Sequence, residues 1–454
     1  MDFKTPEYVN KIIYILEEAG FEAYIVGGSV RDLMLNKKPS DYDITTSATP
    51  VEIQETFKEF KTLYVGKQFG TVIVVQQDGY VEVTTYRTEG EYIDGRRPSE
   101  VFFTKDIYED LSRRDFTINS MAYNKKVGII DPYNGKMDIE NKIIRTVGNP
   151  VKRFSEDHLR ILRAVRFSSQ LNFTIDEYTF EACKALSDSL KYISAERIRD
   201  ELFKILITIK PSNGIRMMLD LGILDIIIPE LLATVDFDQK NPNHNKTLFE
   251  HILCVLDETQ PVLSIRMAAL LHDVAKPLSL TIDEKGIGHF FGHDKQGAEI
   301  SKEILTRLRC SREFIEKVTK LVNEHMYHGS IKEKGIKRQI RRVGEADIFD
   351  LMELRKADMK CKNDNKGISA LEDKEKQIRD IINNKEPYQK NHLNINGNDI
   401  IGLGFKPGEV IGEILDYLVE KVLQHPEFNE KEKLIEMIKD KVNNEQRTVN
   451  NKKI

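Results

Sequence analysis

The chain has 454 residues, of which 40% are hydrophobic and 31% charged, enough apolar material for about two to four domains. Lys+Arg of 68 against Asp+Glu of 73 leaves a net charge of −5, which excludes a globally basic nucleic-acid binder but not a local basic groove. No apolar run reaches the roughly 20 residues that cross a bilayer, and the first residues carry charges where a signal peptide would be apolar.

Residues 7–19 predict an amphipathic helix, with Val9, Ile12, Ile13 and Leu16 at helical spacing. Ala23–Val26 is a short apolar run that enters Gly27-Gly28, the pattern of a strand feeding a tight turn. Strand-like runs follow at 43–46, 71–76 and 80–86, so the first part of the chain is mixed α and β. From Ser155 onward helical periodicity dominates, and FSEDHLRILRAVRFSSQL (154–171) reads as one helix capped by Ser155. Asn241-Pro242-Asn243-His244-Asn245 reads as a linker, 251–328 as a histidine-bearing helical segment, and 360–391 as a polar separator before a last helical unit. Cys183, Cys254, Cys310 and Cys361 form no CxxC pair, which predicts unpaired thiols, a cytoplasmic location and no cysteine-based zinc site.

Three groups of residues carry chemistry. In an extended segment residues i and i+2 face one side, so Asp41 and Asp43 present two carboxylates to one point. Glu82, in the alternating run Tyr80–Thr84, supplies a third from a neighbouring strand. Three carboxylates suit Mg²⁺ and the phosphates it carries, while Gly27 and Gly28 let backbone N–H groups approach a phosphate. Next, Asp157, Arg160, Arg163 and Arg166 recur at every third position, a stripe on one helical face. An Asp accepts from the exocyclic amine of cytosine or adenine and an Arg donates to their ring edge, so the pair can accept C and A and reject G and U without a nucleic-acid template. Finally, His251, His272, Asp273, His293, His325 and Asp358 scatter imidazoles and carboxylates that can ligate Mn, Fe, Co, Ni, Zn or Mg. Between Ser301 and Glu345, 12 Lys/Arg face 6 Asp/Glu, which predicts a phosphate-tracking surface.

GGSVRDLMLNKKPSDYDITTSATP resembles the catalytic core of the class II tRNA nucleotidyltransferase and bacterial poly(A) polymerase superfamily. RRDFTINSMAYN (113–124) resembles that family's second motif, TEGEYIDGRRPSEVFF (88–103) its flexible loop, DPYNGKMDIENKIIRTVGNP (131–150) the exit from the catalytic head, and 392–439 the C-terminal region that grips tRNA. EDHLR resembles its EDxxR nucleotide-selecting motif. The resemblance implies that Asp41, Asp43 and Glu82 are catalytic, with Mg²⁺ on Asp41 and Asp43. It also implies that Gly28, Arg31, Arg114 and Asp115 bind the nucleotide, that Asp157 and Arg160 read the base, and that Arg163 and Arg166 contact the nucleotide and its phosphates.

The pattern H…HD…D resembles the HD superfamily of metal-dependent phosphohydrolases, which assigns His251, His272, Asp273 and Asp358 to a second divalent metal. The implied fold is α+β: a nucleotidyltransferase head at 1–140, a helical neck at 141–240, an HD-type body at 241–365 and a helical tRNA-binding tail at 390–445. The implied activity is template-independent addition of C, C and A to the tRNA 3′ end from CTP and ATP. An A-only enzyme, a poly(A) polymerase and a phosphohydrolase with a vestigial transferase head are the alternatives. The sequence is silent on oligomeric state.

Overall fold

The computed structural model describes residues 3–65, 70–90, 100–240, 246–326 and 332–451, with side chains up to residue 441. Most of the expected loop at 88–103 (91–99) and the linker at 241–245 lie outside the described residues. The chain divides into two units, one of residues 1–232 with 307–309 and one of 233–306 with 310–454.

The first unit is built on a sheet of seven strands. The helix Glu7–Glu18 buries Val9, Ile12, Ile13 and Leu16. After it come β1 (Ala23–Val26), β2 (Asp43–Thr46), β3 (Lys61–Val65), β4 (Thr71–Gln76) and β5 (Gly79–Thr85), then Ala122–Asn124 and Gly128–Ile130. Their spatial order is β3-β4-β5-β2-β1, continued by the last two strands. Val81 and Val83 on β5 are fully buried, and Tyr80 and Glu82 face outward. That alternation is the period-two signal of a sheet with one face on the core. β2 and β5 are parallel neighbours in the register Asp43↔Glu82.

The rest of this unit is helical, and one expectation is corrected. Segment 154–171 is not one helix but two, Pro150–Glu156 and Leu159–Leu171. Asp157 between them is extended (φ −140°, ψ 104°) and its Oδ1 accepts from Leu159 N at 3.1 Å. The Asp carboxylate satisfies an N–H that the second helix leaves open, so the chain starts a new helix there. Ser155 is therefore inside the first helix, donating to Val151 O at 2.9 Å, and is no cap.

The second unit is almost wholly helical, with a small hairpin of Leu280–Ile282 and Gly288–Phe290. Segment 360–391 is not a loose separator. Asn365–Asn383 forms a helix capped by Asp364, with Leu371, Ile378 and Ile381 buried at helical spacing. Cys254 and Cys361 are not free thiols: they form a disulfide with Cα atoms 5.9 Å apart. Their 107-residue separation hid a pairing that helix packing brings about. Cys183 and Cys310 form no disulfide. Much of the basic surplus at 301–345 is neutralised within the fold. Arg342 pairs with Glu324, Arg341 with Asp416, Arg338 with Glu420, and Lys337 with Glu333 and Glu386.

Candidate functional site

The first unit holds a cavity of about 730 Å³ whose lining includes Gly27, Gly28, Arg31, Asp41, Asp43, Arg114, Asp115, Asp157, Arg160, Arg163 and Arg166. β1 ends at Gly27, whose φ of 75° is the left-handed turn that starts the next helix. A Cβ on Gly27 would lie 3.2 Å from Arg114 Nη1, so bare backbone is needed where the guanidinium passes. Ser29 Oγ donates to Asp41 O at 3.2 Å, tying the turn to the carboxylate segment.

Asp41 and Asp43 open into the cavity. Glu82 is Asp43's partner across the parallel strands and does not line the cavity itself. Burial among protein atoms, then the charges of Asp41 and Glu82, push the Asp43 carboxyl up to about 6. Carboxylates that repel one another in this way form a site for a cation.

The opposite wall is cationic and organised by ion pairs. Arg31 is buried and donates to Asn119 Oδ1 at 2.8 Å and Asp32 Oδ1 at 2.8 Å. Arg113 and Arg114 both bond the fully buried Asp110, at 2.7 and 3.1 Å. Arg163 holds Asp115 at 2.5 Å and Arg166 holds Glu201 at 2.7 Å. Burial alone would raise the Asp115 carboxyl, but Arg163 outweighs it and holds the group at about 2. Burial pulls Arg166 down to about 10. Three guanidinium groups, of Arg31, Arg163 and Arg166, gather round the Phe167 ring at 5.3, 5.3 and 4.0 Å from its centroid.

The base-reading pair has protein partners. Arg160 Nη1 donates to Glu156 Oε2 at 2.6 Å and Arg153 O at 3.0 Å. Asp157 Oδ2 accepts from Arg197 Nη2 at 2.7 Å. The sequence reading missed Asn119, Asp110, Phe167 and Arg197. Asn119 and Phe167 sit inside the quoted motif segments, whereas Arg197, in SAERIRDEL, carried no spacing signal to Asp157.

The second unit gathers a separate cluster. His251 comes from the helix Leu248–Glu258, His272 closes Leu263–Leu271, His293 opens His293–Arg307, His325 closes Arg312–Glu324, and Asp358 lies on Ile348–Cys361. With Asp273, all six are buried. Two triads, His251–His272–Asp273 and Asp273–His293–His325, could each hold a metal ion. Nε2 of His251, His272, His293 and His325 lies 3.5, 3.2, 3.3 and 3.5 Å from Asp273 oxygens, and His251 Nε2 lies 3.0 Å from Asp358 Oδ1. Backbone carbonyls of Ala269, Phe290 and Val322 accept from Nδ1 of His272, His293 and His325. That tautomer leaves each Nε2 lone pair aimed at the centre. Lys276 pairs with Asp273 at 2.7 Å and Lys362 with Asp358 at 2.7 Å. The four ligands expected from the sequence thus come together. His293 and His325, in the wider group of possible ligands but outside the four that the resemblance assigned, join them.

Three family models match the chain: the poly A polymerase head domain over 23–145, the probable RNA and SrmB-binding site of polymerase A over 172–234, and a tRNA nucleotidyltransferase domain 2 over 289–438. A CCA-adding enzyme of Ligilactobacillus salivarius is 34% identical over 444 residues, 96% of this chain and 97% of that protein. A CCA-adding enzyme of Staphylococcus epidermidis is 49% identical over 206 residues, 45% of this chain; in that match the chain spans about half of the relative's length, 51%. Among solved structures, the Bacillus stearothermophilus CCA-adding enzyme in complex with CTP superposes with a TM-score of 0.72 at 26% identity, covering 97% of this chain and 100% of that one. No helix among the described residues is long and apolar enough to cross a membrane.

Proposed function

This chain belongs to the CCA-adding enzyme family, and from that premise we propose that it adds C, C and A to the 3′ end of tRNA, using CTP and ATP and releasing pyrophosphate. The observation that carries the reading is the shared cavity: the Asp41–Asp43 carboxylates face the same space as Asp157, Arg160 and the arginine wall.

The donor set and the raised Asp43 carboxyl fit a divalent cation, which we take to be Mg²⁺, with Asp41 and Asp43 as its ligands and Glu82 behind them. When bound, Mg²⁺ activates the tRNA 3′-hydroxyl and stabilises the departing pyrophosphate. Gly28 and Arg31 hold the triphosphate. Arg114 contacts the nucleotide and Asp115 the ribose 2′-hydroxyl, with Arg163 keeping Asp115 charged. Arg166 and Arg163 face the phosphates. Asp157 and Arg160 exchange their bonds to Arg197 and Glu156 for bonds to the base. A guanine or uracil would leave these groups unpaired, which is the source of selectivity.

We assign 1–140 to the catalytic head, 141–240 to the neck, 241–365 to the HD-type body and 390–445 to a tRNA-gripping tail. We place its work in the cytoplasm. The decisive assay supplies Mg²⁺, CTP and ATP with tRNA transcripts ending at the discriminator base, at C and at CC. Extension of all three to CCA supports full activity. Growth of only the CC-ended transcript means an A-adding enzyme, long A tails mean a poly(A) polymerase, and no growth sinks the transferase reading.

A second, additional reading concerns the body. Six buried imidazole and carboxylate groups converge there, with three Nε2 lone pairs oriented by backbone carbonyls. Such donors fit a divalent transition-metal ion, which His251, His272, Asp273, His293, His325 and Asp358 would hold and which would supply activation of water for phosphate-ester hydrolysis. We propose a metal-dependent phosphohydrolase of phosphate esters or cyclic phosphates at RNA ends. Negative results from both metal analysis and a phosphodiesterase panel would remove it.

A further inference from the structure

The Cys254–Cys361 pair has no part in either reading so far. Cys254 follows His251 by three residues on the helix Leu248–Glu258. Cys361 follows Asp358 by three on the helix Ile348–Cys361. Residues three apart lie on one helical face, a turn further along. The disulfide, with Cα atoms 5.9 Å apart, is therefore a covalent rung next to the His251 Nε2–Asp358 Oδ1 contact of 3.0 Å. It joins the two helices that carry His251 and Asp358.

The two sulfurs are not equivalent. Cys361 is buried, at 4% exposure, and Cys254 is half-buried. The exposed Lys246 places Nζ 3.3 Å from Cys254 Sγ. An ammonium there stabilises the negative charge that develops on this sulfur when it attacks or leaves in thiol–disulfide exchange. Cys254 is thus the reachable and activated partner, and Cys361 the resolving one.

We propose that Cys254 and Cys361 are a reversible thiol–disulfide modification site that sets the metal affinity of the His/Asp cluster, the oxidised form binding tighter. The proposal rests on the reading of that cluster as a metal centre. In the oxidising direction the Cys254 thiol gives its proton to solvent, and its sulfur attacks one sulfur of a low-molecular-weight disulfide, RSSR. The RS⁻ that leaves takes up a proton. Cys361, deprotonated in turn, attacks Cys254 of the mixed disulfide and expels the second RS⁻. Two cysteine thiols and RSSR become one cystine and two RSH, and two electrons pass from protein to oxidant. Small thiols reverse it. Reduction leaves the helix pair held by packing, the Lys360–Glu258 ion pair and the His251–Asp358 contact, so His251 and Asp358 lose the one covalent constraint on their spacing.

The test uses the full chain, equilibrated with an oxidised small thiol or reduced with a phosphine, with the state of each cysteine read by alkylation and peptide mass. Mn²⁺ alone is then titrated and followed by electron paramagnetic resonance. We expect a linked 254–361 peptide in the oxidised sample and Mn²⁺ binding about tenfold tighter than in the reduced one. Cys254→Ser and Cys361→Ser, checked for folding by thermal melting, should show the weaker affinity under both treatments. Equal affinity in both states, with the disulfide formed, overturns the coupling and leaves the metal centre standing. Absence of Mn²⁺ from both states removes the metal centre and the coupling together. A pair that stays reduced at every glutathione ratio overturns the modification site itself.

Discussion

In the head, Arg163 meets Asp115 at 2.5 Å with about a third of the arginine side chain open to solvent; in the body, His272 meets Asp273 at 3.2 Å with both side chains almost fully enclosed. The head cavity is lined by charged groups, and its arginines and carboxylates pair with one another. Such pairs can exchange a protein partner for a substrate group at modest cost, because both states are solvated and hydrogen-bonded. The body cluster is buried, and its imidazole nitrogens stand close to the carboxylates of Asp273 and Asp358. Buried polar groups are costly unless paired, and this cluster pairs its members with one another and with Lys276 and Lys362. One region presents its charges to an open cavity, and the other encloses them.

The largest expected effect separates the two regions. Asp43→Ala should lower nucleotide addition on the order of 1,000-fold or more in a primer-extension assay, while metal analysis of the body still finds its ion. Asp273→Asn should do the reverse to the metal: it removes the carboxylate shared by both triads, and the metal content read by mass spectrometry should fall to background. Asp157→Ala should act more narrowly, raising GTP or UTP incorporation relative to CTP and ATP by about 100-fold in competition assays. Retained selectivity would mean that the protein template lies elsewhere.

The smallest effect concerns acid. Asp115 has its folded carboxyl at about 2 against an ordinary 3.8, so the folded state binds fewer protons in that interval. The stabilisation is complete above pH 3.8 and disappears as pH falls towards 2, about 2 kcal/mol in all. Asp115→Asn should abolish that component, read as a flatter dependence of head unfolding on pH between about 4 and 2.

Much of the head was legible because its chemistry is local. Gly27-Gly28, Asp41-x-Asp43 and Arg113-Arg114-Asp115 each keep their functional atoms within a few residues, and strand alternation gave Glu82 its face. What escaped depends on long-range packing. Arg197 reaches Asp157 across 40 residues of sequence. His293 and His325 stand in sight in the sequence, but only the meeting of their helix ends brings their Nε2 atoms to Asp273. The helix break at Asp157 was hidden because continuous helical periodicity through 154–171 outweighed one side chain capable of capping a new start. The Cys254–Cys361 pair was invisible for the same reason of distance, although each cysteine trails a cluster member by one turn.

The parallel register of β2 and β5 has a consequence for how this head can change in length. Asp43 stands beside Glu82 only because the count of residues from Gly79 along β5 is even-odd matched to the sheet. One residue inserted between Gly79 and Glu82 would turn the glutamate into the core and bring Val81 or Val83 to the surface. Two inserted residues would restore the facing side chains. Paired insertions therefore keep the buried and exposed faces of β5 while single ones do not, and either kind moves Glu82 off Asp43, a constraint on spacing that no substitution at Glu82 would reveal.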